Sequence, residues 1–168
     1  MTAIQNHPFE PFIPEHATVL IVGSFPGREQ TQGNIDAEQW FYGAKRNQFW
    51  KIISAVYQTD LLSKVDKQNL FIKHGIGLTD ILFKVRRKNN SNLDENLEIV
   101  EYNDAAIREI ISKSTIRSIY FTSRFVEKHF KKLLPEINFG EYLPSPSPRY
   151  AGLTQAEKII FYKTKLPK

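Results

Sequence analysis

The run Thr18-Val19-Leu20-Ile21-Val22 is apolar without alternation and rich in β-branched residues, and Gly23-Ser24-Phe25-Pro26-Gly27 breaks it. A strand with no polar face is buried on both sides, as inside a parallel sheet. Residues 28–44 are polar with scattered aromatics and two glycines, and read as a long loop. Phe49, Trp50, Ile53, Val56 and Tyr57 then recur at helical spacing, with Asn47 as cap or first-turn residue. A short helix is expected near Asp66 to Lys73, ended by Gly75. Ile76 to Leu82 reads as a second strand and Ile116 to Phe121 as a third, with a fourth near Phe139 to Leu143. Between them, Asn103-Asp104 can cap a helix carrying Ile107, Ile110 and Ile111. Ser123 can cap one carrying Phe125, Val126, Phe130, Leu133 and Leu134, stopped by Pro135. Thr154-Gln155-Ala156-Glu157 is a capping box that opens a final helix.

Strands and helices thus alternate along the chain. Alternation at this spacing implies a parallel sheet covered by helices on both faces. Ligands of such sheets bind beyond the carboxyl ends of the strands. That rule nominates Gly23 to Gly27, Asp80 onward, Thr122 to Arg124, and Pro144 to Arg149.

The 168 residues, 41% apolar and 12% aromatic, are enough for one core, and a single domain over 1–168 is expected. Cysteine is absent. This excludes disulfides, thiolate metal sites and cysteine nucleophiles. His7, His16, His74 and His129 form no ligand-spaced set, so neither metal nor cofactor is expected. The start resembles no signal peptide and no apolar run is long enough to span a bilayer, so a cytoplasmic protein without a membrane partner is expected. Lys plus Arg outnumber Asp plus Glu by 23 to 18. That excess suits a polyanion, or simply solubility. Lys84, Arg86, Arg87 and Lys88, followed by Asn89 to Asn92, read as a basic polar loop. Lys128, Lys131 and Lys132 read as a solvated helix face.

Several segments are chemically suggestive. Gly23 to Gly27 is a tight turn whose free N–H groups could hold a water, a base edge or a phosphate. It matches neither a Walker loop nor a nucleophile elbow, and it could equally be an ordinary strand-ending turn. Phe49 and Trp50 fit a buried helix stripe. Tyr42 falls outside that stripe, open to either surface packing or base stacking. Asp80 shares strand parity with Ile76, Leu78 and Leu82, and a carboxylate there is either functional or at a strand end that opens to solvent. Leu143-Pro144-Ser145-Pro146-Ser147-Pro148-Arg149-Tyr150 reads as a stiff loop, preset by its prolines, with Arg149 at its tip.

In this order the segments resemble the uracil-DNA glycosylase superfamily, over roughly residues 18–166. The likeness is to its mismatch-specific uracil/thymine-DNA glycosylase and hypoxanthine-DNA glycosylase branches. Gly23-Ser24-Phe25-Pro26-Gly27 is similar to the Gly-x-x-Pro-Gly turn of the first motif. Tyr42 to Lys51 is similar to the segment in which an aromatic residue precedes Asn-x-Phe-Trp-Lys. His74-Gly75-Ile76-Gly77-Leu78-Thr79-Asp80 resembles a Tyr-Gly-Ile-Gly-Phe-Thr-Asn strand, and Leu143 to Arg149 resembles a Pro-Ser-Ser-Ser-Ala-Arg loop.

The resemblance implies an α/β/α sandwich in three layers, with a central, mainly parallel four-stranded sheet. It implies excision of a flipped, deaminated base, hypoxanthine or uracil, from DNA by hydrolysis of its N-glycosidic bond. A monomer acting on DNA with deaminated or mismatched bases is expected. Gly23, Phe25, Tyr42 and Asp80 would contact the base, with Tyr42 stacking on it and Asp80 in the place of a base-reading asparagine. Ser145 and Ser147 would lie near the sugar and its phosphates, and Arg149 would fill the vacated duplex. Arg46, Lys84, Arg86 and Arg87 would add contacts to DNA. Phe25 departs from the family pattern, which offers Asp or Asn there to hold the attacking water. The hypoxanthine branch lacks that residue too, and Asn47 is then the catalytic candidate, with Ser24 beside it. Two other readings remain open. One is a noncatalytic nucleic-acid-binding domain, and the other a phosphate-binding α/β hydrolase using Ser24.

Overall fold

The computed structural model describes residues 2–168. Four strands form the central sheet: β2 (Val19–Gly23), β3 (Ile76–Asp80), β6 (Ser118–Phe121) and β7 (Glu141–Tyr142). Their order is β3-β2-β6-β7 and every pairing is parallel. All five residues of β2 are buried, as its uniform apolar pattern requires. Successive side chains of a strand point to opposite faces. Val19 and Ile21 therefore join a core with Phe49, Trp50, Ile53 and Phe71. Leu20 and Val22 join a second with Ile107, Phe121, Val126 and Phe130.

Three helices cover the first face: α2 (Phe49–Tyr57), α3 (Lys64–His74) and α6 (Gln155–Lys165). Two cover the other: α4 (Asp104–Lys113) and α5 (Arg124–Leu133). Their ends follow the sequence signals. Ser123 accepts a bond from the Val126 N–H, the Thr154/Glu157 capping box is closed, and Gly75 ends α3 at φ 64°. The α3 helix begins two residues before Asp66, capped by Ser63 through a second box with Asp66. Asn103 does not cap α4 with its side chain. It donates instead to Thr79 Oγ1 at 3.2 Å and the Asp80 carbonyl at 3.0 Å, tying α4 to β3.

The chain differs from the sequence reading in one layer. The expected strand over Ile76–Leu82 ends at Asp80, and a separate strand β4 (Leu82–Arg87) follows. Together with β1 (Ile4–Asn6) and β5 (Leu97–Tyr102), β4 forms an antiparallel sheet in the order β1-β4-β5. Register shifts between Leu82, Lys84 and Val85 break the alternation that would have marked β4 as a strand. The basic segment read as a loop is therefore largely a strand. One further short helix, α1 (Arg28–Thr31), interrupts the expected loop over 28–44.

Candidate active site

The carboxyl ends of β2, β3, β6 and β7 converge on one cavity of about 780 Å³, within the range of small-molecule sites. Ser24, Phe25, Tyr42, Arg46, Asn47, Asp80, Ser145, Ser147 and Arg149 all line it. Residues far apart in the chain are thus brought together where the switch-point rule for α/β sheets places ligands.

Tyr42 forms the floor. Its ring stacks on Phe49, with centroids 3.9 Å apart and 18° between planes. Phe49 is fully buried in the first turn of α2 and so fixes the height of the stack. The Tyr42 backbone sits in the left-handed region at φ 57°, an unfavourable conformation for a non-glycine residue. A bond of 3.1 Å joins its hydroxyl to Thr122 Oγ1 and anchors the ring. The Thr122 hydroxyl in turn donates to the Val22 carbonyl, so the Tyr42 hydroxyl is the donor of the pair. Burial pushes this phenol well above its ordinary range, and the charge of Asp80 adds to the effect. The ring is therefore neutral.

Asn47 stands at the entrance to α2, where its Oδ1 accepts the Phe49 N–H at 2.8 Å. With Oδ1 accepting that bond, the Nδ2 donors remain available, and an amide in any case cannot take a proton from water. Gln48 links this corner to the proline loop, its N–H donating to the Pro146 carbonyl at 2.9 Å.

The loop is held from several sides. Tyr162 donates to the Pro144 carbonyl at 2.7 Å, and Lys158 Nζ donates to the Ser147 carbonyl at 3.1 Å. Lys158 is 1% exposed, and burial lowers its pKa. The Ser147 N–H donates to Ser145 Oγ and the Arg149 N–H to Ser147 Oγ, so both serines brace their own loop. Arg46 and Arg149 are exposed at the rim.

Three basic residues expected to touch DNA do not line this cavity. Arg87 is 2% exposed and buried in the fold, so it is not available as a phosphate contact. It donates to the carbonyls of Pro26 and Ser91 at 2.9 and 2.7 Å, tying the Gly23–Gly27 turn to the segment after β4. Lys84 and Arg86 pair across the antiparallel sheet with Glu101 and Glu98. Each therefore has a carboxylate partner on the neighbouring strand.

Two acidic-site features escaped the sequence reading. Asp94 lines the cavity near Ser24 and Ser123. Burial pushes its carboxyl above the ordinary range, the hydroxyls of Ser24 and Ser123 pull it back, and repulsion from Asp80 raises it again. Only the fold brings residue 94 to the first turn. His7 is the second, its Nε2 lying 2.7 Å from Asp80 Oδ2. As an isolated histidine near the start of the chain it carried no spacing signal. Among the described residues no cluster of His, Asp or Glu could hold a metal ion, and no helix is long and apolar enough to cross a membrane.

The chain is similar to known proteins over most of its length. A hypoxanthine DNA glycosylase of Methanosarcina barkeri is 29% identical over 102 residues. The match covers 59% of this chain and spans 60% of the length of that relative. A solution NMR structure of a candidate uracil DNA glycosylase from Methanosarcina acetivorans superposes with a TM-score of 0.70 at 23% identity. It covers 96% of this chain and 98% of that one, and so shares the fold. The sequence model of the uracil DNA glycosylase superfamily matches residues 10–165. With that span matched, and the motif residues gathered at one cavity, the chain belongs to the uracil DNA glycosylase superfamily.

Proposed function

We propose that this chain is a monofunctional DNA glycosylase that hydrolyses the N-glycosidic bond of a flipped, deaminated base, hypoxanthine or uracil, and leaves an abasic site. The observation that carries this reading is the meeting of Tyr42, Asn47, Asp80 and Arg149 around one cavity at the strand ends. A base inside a duplex is inaccessible, and extruding it costs a few kcal/mol. Stacking on Tyr42 offsets about 1–3 kcal/mol of that cost. Arg149 at the rim fills the vacated space, and Arg46 meets the phosphates.

As the bond breaks, the sugar becomes cation-like and the base anion-like. Groups that bind this charge separation better than the ground state lower the barrier. Asn47 serves the departing base through its amide donors. Asp94, near Ser24, supplies negative charge that favours the sugar cation. Phe25 cannot hold water, so leaving-group stabilisation dominates and turnover is slow. This chemistry needs neither cofactor nor metal, and the protein acts as a monomer on intracellular DNA.

The test is incubation with duplexes containing hypoxanthine, uracil, xanthine or mismatched thymine, followed by alkaline cleavage. Strand scission that Tyr42→Ala weakens and Asn47→Ala abolishes supports the enzyme. Phe25 in the water-holding position favours a second reading, a nucleic-acid-binding domain without catalysis. Tight binding to the same duplexes with no scission on any of them establishes that alternative.

A further inference from the structure

His7 lies just beyond β1, and its N–H donates to the Phe83 carbonyl at 2.8 Å, which continues the pairing with β4. Its ring packs among Phe9, Phe25 and Phe41, with centroids 6.0, 5.6 and 5.5 Å away. Its side chain is 4% exposed and that of Asp80 6%. Two bonds fix the tautomer. The Phe9 N–H donates to Nδ1 at 3.1 Å, so Nδ1 carries no proton. Nε2 therefore holds the single ring proton and donates it to Asp80 Oδ2 at 2.7 Å. The other oxygen, Oδ1, stands over Gly23 beside the Tyr42 hydroxyl. His7 also precedes residues 10–165, the span that the family accounts for.

Resting on the glycosylase reading, we propose that His7 is the positioning residue that sets base selectivity. It commits one Asp80 oxygen and keeps the other as a lone acceptor, which selects a base edge whose N–H is not enclosed by two carbonyls. Uracil presents its N3–H between two carbonyls, and a lone acceptor is repelled on both sides. Hypoxanthine presents its N1–H between one carbonyl and a C–H, so the acceptor meets the N–H from the C–H side. Without the His7 donor neither Asp80 oxygen is committed and the carboxylate is free to turn, so the fixed lone acceptor is lost and the distinction fades. Phe25 has a place in this arrangement. The residue that displaces the family's water-holding group packs edge-on against the His7 ring and helps exclude solvent from the His7–Asp80 bond.

The experiment is single-turnover excision from duplexes carrying hypoxanthine or uracil, with folding of each variant checked by circular dichroism. The parent is expected to prefer hypoxanthine by about tenfold or more, and His7→Leu to narrow that preference by about tenfold. His7→Gln retains a donor at similar reach and restores the preference, which a purely structural role does not predict. Asp80→Asn reverses it: the His7 proton anchors the amide oxygen and turns the NH2 toward the base, where it donates to a uracil carbonyl. A folded His7→Leu variant with the parental ratio overturns the proposal. Where His7→Leu does not fold, an Asp80→Asn ratio equal to the parent's does the same, and so does a parent that prefers uracil. A parent that releases neither base overturns the glycosylase reading itself, an outcome distinct from an active enzyme indifferent to His7.

Discussion

Gly23 and Asp80 are partners in the parallel register of β2 and β3, and the Asp80 carboxylate occupies the space that a side chain on Gly23 would need. A methyl group there would collide with Asp80 Oδ1 and come within 2.6 Å of the Tyr42 hydroxyl. The glycine answers to this crowding, and to no unusual backbone angle. Gly23→Ala should cost about 1–3 kcal/mol by overpacking. Because it displaces the proposed base-reading group or the proposed stacking surface, excision should fall about a hundredfold. Thermal unfolding and single-turnover rates measure the two effects separately.

Asn47 combines a structural bond with a proposed catalytic one, and two substitutions separate them. Asn47→Ala loses the acceptor for the Phe49 N–H and should cost about 1 kcal/mol, as a lost helix cap does. Asn47→Asp keeps that acceptor but removes the donors and places a charge beside a departing anion. It should unfold near the parental temperature while excision drops at least as far as in Asn47→Ala.

Arg87 and Arg149 should behave in opposite ways. Arg87→Met leaves the buried Pro26 carbonyl and the part-buried Ser91 carbonyl without this donor, at about 1–3 kcal/mol for the buried group and less for the other. Its melting temperature should fall, with the salt dependence of DNA binding unchanged. Arg149→Ala should fold normally and lower the slope of log affinity against log salt by about one. Titrations of binding against salt for both variants test this.

Asp94 predicts a pH dependence of stability. Burial holds its carboxyl above the ordinary range in the fold, so the native state takes up this proton at higher pH than the unfolded chain does. The associated stability is present below the ordinary carboxylate range and is lost as pH rises through the raised value. Asp94→Asn should therefore be more stable than the parent near pH 7 and lose that advantage below about pH 3, where both states are protonated. Denaturant melts across this window give the difference.

Local signals carried most of the central layer. The uninterrupted run Val19 to Val22, the Thr154 capping box and Gly75 all operate within a few residues, and each element stands where its signal lies. The antiparallel sheet was not legible because its pairing joins residues 4–6 to 84–86, and register shifts in β4 blur its period. The same long-range pairing explains the misreading of Arg87. In sequence it belongs to a basic cluster, and only the tertiary fold turns its guanidinium inward, onto Pro26.

The residue types and their order were enough for the parallel sheet and the placement of the cavity at its carboxyl ends. Both follow from burial pattern, turn chemistry and alternation, which a chain states locally, whereas the expected roles of Tyr42, Asn47 and Asp80 rest on the resemblance to a family. Tertiary structure alone decided that His7 meets Asp80, that Asp94 faces Ser24, and that Lys158 braces the proline loop. Each of these joins segments that have no periodic relation in the chain. Such contacts are fixed by how sheets and helices pack, and so they are visible only once the packing is known.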